Sequence, residues 1–217
     1  MNAKTETRLV YKDIIRDAIY EAIVKGQLLP GERIKELDWA KAYGASQAPV
    51  REAIRDLEAR GVVVAIPFKG AFVREMTVKD LKDIHKIRAG IEGIALKAAI
   101  QKASEEDIAS VKKILEDMVR LATRGSNEKF MEEDVHFHQK IIELADMTEL
   151  EKMWEMCNIR LWTAFNISAS KTDTIYFAKT HWAIYDALEQ RKEDEAFAVM
   201  EKHFDDVLAE NFKKEIA

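Results

Sequence analysis

Four of the five histidines of this 217-residue chain, His136, His138, His181 and His203, fall in its later part. Asp134 and His138 are four residues apart, so on a helix they share a face and can chelate one ion. His136 is turned about 200° around that helix from Asp134. Neighbouring antiparallel helices could bring His181 and His203 to the same depth. Three neutral imidazoles and a carboxylate then suit Zn²⁺, Ni²⁺ or Mn²⁺. A divalent ion beside Asp134 leaves a site of net charge +1, and open coordination positions would draw in an anion. Spacing alone leaves each histidine open to being an ordinary surface or core residue, and His85 and His136 are read as surface residues.

A second set of side chains points to different chemistry. Gln47, Arg51 and Arg55 recur every four residues just after Ser46, and Lys69-Gly70 sits at a sharp turn. Ser46 reads as an N-cap, which leaves free N–H groups and a positive dipole end where a phosphate binds well. Arginine can hydrogen-bond two acceptors of guanine, and glutamine can pair with adenine. A hairpin tip at Lys69-Gly70 could approach the backbone or the minor groove. For Arg55 and Lys69 a plain solvated side chain is an equal reading.

The elements that carry these groups follow from periodicity. Leu9 to Lys25 reads as an amphipathic helix with Val10, Ile14, Ala18 and Ala22 at four-residue spacing, flanked by Ile15, Ile19 and Ile23. A short helix from Glu36 to Tyr43, with Leu37 and Ala40 on one side, ends at Gly44. A third helix follows Ser46, has Pro49 in its first turn, buries Val50, Ile54 and Leu57, and stops at Gly61. Val62–Ile66 and Ala71–Val73 read as a β-hairpin. The two-residue joint Gly44-Ala45 makes the second and third helices a helix-turn-helix. Residues 1–76 are thus read as a winged helix-turn-helix of three helices plus a hairpin.

Residues 77–217 contain no proline and no convincing strand. They read as an all-α antiparallel bundle of six helices over 77–102, 104–123, 127–145, 149–167, 172–190 and 192–215. Ser104-Glu105-Glu106-Asp107 looks like a capping box, and Gly125-Ser126 and Ala169-Ser170 like joints. Trp154, Trp162, Trp182 and Phe165 read as core or as pocket lining.

Composition bounds the rest. The chain is acidic overall, at −5, but residues 1–76 hold 13 Lys and Arg against 11 Asp and Glu, and the acidity lies in the remainder. A basic module joined to an acidic one is consistent with DNA binding by the first. No apolar run approaches the ~20 residues of a membrane span. A polar start is read as no signal peptide, and the single Cys157 fits a cytoplasmic protein without an internal disulfide.

Leu29-Pro30-Gly31-Glu32-Arg33-Ile34, Ser46 to Ile54, Leu57 to Val62 and Lys69-Gly70-Ala71-Phe72-Val73 together resemble the GntR family of regulators. The resemblance implies a phosphate or base contact at Arg51, a phosphate contact at Ser46 and a wing tip at Lys69-Gly70. Gln47 and Leu37 depart from it, since each stands where arginine is usual. Arg88-Ala89-Gly90-Ile91-Glu92, Asp134 to His138, His181 to Leu188 and Met200 to His203 resemble the all-helical FCD effector domain of the FadR-type subgroup. By that resemblance Asp134, His138, His181 and His203 hold a divalent ion, a small carboxylate effector reaches it, and Arg88 helps bind the acid. An i, i+4 ion pair with Glu92 is an equal reading of Arg88. The turn Asp146-Met147-Thr148-Glu149 departs from the Gly-Asn turn often found there. The expected function is a homodimeric repressor that binds an operator and is not an enzyme. Its alternatives are a helical-bundle metalloenzyme and a regulator with a purely structural ion.

Overall fold

A computed structural model describes residues 3–169 and 174–211. The chain divides into two compact units, Met1–Thr77 and Val78–Ala217.

The first unit opens with α1 (Ala3–Val24), then β1 (Arg33–Ile34), α2 (Glu36–Ala42), α3 (Gln47–Ala59), β2 (Val63–Ile66) and β3 (Gly70–Val73). α1 packs along α3. Its buried face is Ile15, Ile19, Ala22 and Ile23, while Val10 and Ile14 are exposed. The expected stripe through Val10 and Ile14 is therefore corrected: the core takes Ile15, Ile19 and Ile23, and of the Val10 series only Ala22. Leu37 is likewise exposed, and only Ala40 of α2 is buried. α3 buries Val50, Ala53, Ile54 and Leu57 as one stripe. Gly44 has φ +58°, a left-handed conformation that lets the chain reverse between α2 and α3 without a Cβ clash. The sheet has one strand more than expected: β3 pairs antiparallel with β2 on one side and with the short β1 on the other.

The second unit is entirely helical among the described residues. It comprises α4 (Val78–Lys102), α5 (Glu105–Thr123), α6 (Asn127–Ala145), α7 (Thr148–Met156), α8 (Ile159–Ala169), α9 (Thr174–Thr180), α10 (Trp182–Glu189), a 3-10 turn (Glu193–Glu195) and α11 (Ala196–Asn211). Ser104 caps α5 in a full capping box, its hydroxyl accepting from the Asp107 N–H while Asp107 accepts from the Ser104 N–H. α4 lies against both α6 and α11, and α5 against α6. Phe130, Phe137, Leu96, Leu115, Met118, Ile141 and Ile184 are fully buried among them.

Two of the six expected helices are broken. The fourth splits at Asn158, whose φ of +50° ends α7 and starts α8. Asparagine tolerates that conformation better than most residues. The fifth splits at His181 between α9 and α10. There the carbonyl of Phe177 accepts side-chain hydrogen bonds from Thr180 and His181, which compete with the helical ladder. The expected joint at Ser170 and the ends at Thr172 and Glu215 lie outside the described residues.

Candidate metal centre and nucleic-acid interface

His138 is carried by α6, His203 by α11 and His181 by the α9–α10 break. All three are buried, and one ring nitrogen from each lies within 4.8 Å of the others. Local partners fix which nitrogen faces inward. His181 Nδ1 is 2.9 Å from the Phe177 carbonyl, which can only accept, so Nδ1 carries the proton. The Thr180 hydroxyl donates to that same carbonyl at 2.8 Å and therefore accepts from His203 Nδ1 at 3.0 Å. Glu92 Oε2 stands 2.5 Å from His138 Nδ1, a close contact outside hydrogen-bonding alignment that still favours a proton there. Each Nε2 is thus left as a lone pair.

The consequence is a cluster of acceptors without a donor. His181 Nε2 is 3.2 Å from His138 Nε2 and 3.2 Å from Asp134 Oδ1. Lone pairs do not approach so closely unless a proton or a cation lies between them. Burial holds His138 below its ordinary pKa, and burial with the neighbouring His181 and His138 holds His203 well below it, so both favour the neutral form that ligates metal. Burial works against the Asp134 carboxylate, but a proton on His181, which would then donate to it, or positive charge at His138, with Arg88, outweighs burial and lowers the group to about 2, so the carboxylate answers a positive charge held among these rings. The residues present therefore fit a divalent ion. Asp134 touches His181 and accepts from Thr163 at 3.3 Å, yet stands outside the compact set of three rings.

Arg88 lines the same cavity and makes both expected kinds of contact available. Its Nε donates to Glu92 at 2.8 Å, its guanidinium lies 4.6 Å over the Phe204 ring, and its Nη2 is buried without a hydrogen-bond partner. Glu92 also accepts from Trp154 Nε1 at 3.0 Å. Against its burial, the charge of Arg88, with the adjoining His138 Nδ1–H and the hydrogen bond from Arg88, brings Glu92 down to about 2. His85 is corrected from the surface to the interior: it is 1% exposed, packs on Phe204, and is lowered to about 3 by burial and by Arg88. His136 is exposed beside Glu133. None of Trp154, Trp162, Trp182 and Phe165 lines the cavity, which leaves only about 30 Å³ of free space.

In the first unit Ser46 occupies the N-cap position of α3 with φ −76° and ψ 168°, but its hydroxyl makes no cap bond and is exposed. Arg51 and Arg55 are exposed along α3, and Gln47 is half-buried in its first turn. Lys69 and Gly70 form the exposed tip of the β2–β3 hairpin. Sequence reading missed two neighbours. Phe68, with φ +63°, stands fully exposed at that tip. Glu36 of α2 accepts from Arg51 Nε at 2.7 Å. Thr163 and Thr180 were also missed, and Glu92 was read only as the partner of Arg88, because no spacing rule pairs them with the histidines.

Residues 11–73 match the model of the bacterial regulatory proteins of the gntR family, and residues 83–206, more than half of the chain, match the FCD domain. The chain belongs to the GntR family. It carries the FCD domain as its second part, and the family consists of transcriptional regulators rather than enzymes. It is 42% identical over 84 residues to the HTH-type transcriptional regulator YdhC of Bacillus subtilis, covering 39% of this chain and 38% of that protein. It is 38% identical over 97 residues to a protein of Paenarthrobacter nicotinovorans named "Probable D-xylose utilization operon transcriptional repressor", covering 45% of this chain and 43% of that protein. The matches thus span about two fifths of these curated relatives. The structure of E. coli McbR/YncC superposes with a TM-score of 0.78 at 18% identity over 94% of this chain and 98% of that one, which establishes the shared fold. No helix among the described residues is long and apolar enough to cross a membrane.

Proposed function

We propose that this GntR regulator is a cytoplasmic homodimer that represses transcription and is released from its operator by a small carboxylate. Residues 1–76 would bind DNA through Ser46, Gln47, Arg51, Arg55 and the wing tip at Lys69-Gly70. Residues 77–217 would hold Zn²⁺, Ni²⁺ or Mn²⁺ on His138, His181 and His203, with Asp134 beside them. The observation that carries the metal reading is the convergence of three imidazoles, two of them hydrogen-bonded through Nδ1 to Phe177 and Thr180 and the third with its Nδ1 against Glu92. A bound ion supplies positive charge, and the unpartnered Arg88 Nη2 supplies a donor, so a carboxylate has two anchors in one cavity. The 30 Å³ of free space admits an ion and little more than a water. An acid must therefore displace part of the wall, and His85 and Phe204, which also line a larger outer groove of about 670 Å³, are the residues positioned to yield. A ligand that favours the displaced state shifts operator affinity through its preference alone.

A second reading follows from the same tightness: an ion that only stiffens the bundle needs no room for an acid. One experiment separates them. Purified protein is loaded with metal and its affinity for duplexes from the promoter region of its own gene is measured across a series of organic acids. The proposal expects salt-sensitive binding that one class of acid weakens. Salt-sensitive binding that no acid alters leaves the structural ion, and absent binding in every state overturns the regulator reading.

A further inference from the structure

We propose that Glu36 is a specificity-positioning residue of the DNA-reading surface, holding Arg51 in one orientation so that it reads guanine instead of gripping any phosphate. The inference rests on the DNA-binding role proposed for α3. An acidic side chain next to a recognition helix is unexpected, because it repels the phosphate backbone. Glu36 nevertheless faces the same groove as two of the candidate contacts, Gln47 and Gly70. It reaches across from α2 to accept from Arg51 Nε at 2.7 Å, fifteen residues away in the chain. On the other side, Arg51 Nη2 donates to Gln47 Oε1 at 2.8 Å, one helical turn back.

The guanidinium is thereby held at two of its three nitrogens. Its Nη1 keeps both donors, and Nη2 keeps the second of its two, so the end of the fork remains open. That is the pair of donors which guanine O6 and N7 accept. A loose arginine swings to whichever acceptor is near, and phosphates are always near. An arginine pinned on its flank loses less freedom on meeting guanine and gains less from meeting anything else. Glu36 thus trades general affinity for discrimination. The arrangement also gives Gln47 a role that suits its departure from arginine: its carbonyl props Arg51, where a second cation would repel it. Adenine pairing by Gln47, which needs that carbonyl as an acceptor, would compete with the prop.

The test starts from full-length protein and randomised duplexes, selected at one fixed salt concentration. Wild type should enrich a half-site containing a guanine whose replacement weakens binding, and Arg51→Ala should lose that dependence. Glu36→Gln and Glu36→Ala are then compared with wild type on the selected duplex, on the same duplex with that guanine replaced, and on an unrelated duplex. Both variants should bind the unrelated duplex several-fold more tightly. Their penalty for losing the guanine should shrink by about tenfold, within the range a bidentate pair controls. A merely structural role for Glu36 would move all three affinities together, and thermal melts identify any loss of fold. An unchanged guanine penalty in both folded variants overturns the inference while leaving DNA binding intact. Failure of wild type to enrich any site overturns the DNA-binding reading and this inference with it.

Discussion

Replacing Thr180 by valine tests the metal centre without touching a ligand. Thr180 is the acceptor for His203 Nδ1, and its own proton goes to the Phe177 carbonyl. Valine keeps the shape and removes the acceptor. His203 then either leaves a buried Nδ1–H unpaired or flips its tautomer and puts the proton on Nε2, the atom proposed to hold the ion. Loss of such an outer partner weakens metal binding by about 10- to 100-fold. At a metal concentration about 100 times the wild-type dissociation constant, the ion adds about 2.7 kcal/mol of stability. The variant keeps about 1.4 kcal/mol of this after a tenfold loss and about 0.4 kcal/mol after a 100-fold loss. For a chain of this size each kcal/mol is worth about 2–4 °C, so the metal-induced rise in Tm should shrink by roughly 3–9 °C. The assay is a pair of thermal melts with and without metal, supported by competition with a chelator. The metal-free melt absorbs the separate cost of the lost hydroxyl, about 1 kcal/mol. Thr180→Ser should restore the increment. An increment in the valine variant equal to that of wild type would refute the assignment of His203 Nε2 to the ion.

Other outcomes follow from the same geometry. Arg88→Met leaves Glu92 as a buried, undercompensated charge and should destabilise the metal-free protein by about 3–5 kcal/mol in urea titrations, while Arg88→Met with Glu92→Met should recover most of that loss. His203→Ala should lower metal stoichiometry by elemental analysis and leave DNA affinity of the metal-free protein unchanged, whereas Arg51→Ala should lower operator affinity to that for an unrelated duplex and leave the metal in place. Phe68→Ala touches no packed neighbour, so its melting should match wild type; a weaker grip on the selected duplex would assign the exposed ring to the DNA surface. The hydrogen bonds from Ser104 hold the Asp107 carboxyl below its ordinary value. A depressed carboxylate contributes stability above its unfolded pKa and loses it as pH falls through the folded one, so Asp107→Asn should flatten the acid limb of a stability–pH curve.

The sequence by itself determined what depends on neighbours along the chain. The order Ser46, Pro49, Val50, Ile54 and Leu57 allows one helix with one buried stripe, and Ser104 with Asp107 allows one cap. The helical character of the second unit was legible for the same reason, and family resemblance singled out the three histidines that converge in it. Where two local readings were equally good, packing chose. In α1 the series through Val10 and that through Ile15 have the same period, and only the surface of α3 selected the latter. α4 packs on α6 along one side and α11 along another, so periodicity could not say that His85 points inward. Glu92 behind His138, Thr180 behind His203 and Glu36 beside Arg51 were decided by tertiary structure alone. Each depends on the rotation and axial shift of one element against another, to within a fraction of a hydrogen-bond length. Those quantities are set by the sum of all the side chains packed between the elements, and no spacing within a single helix contains them.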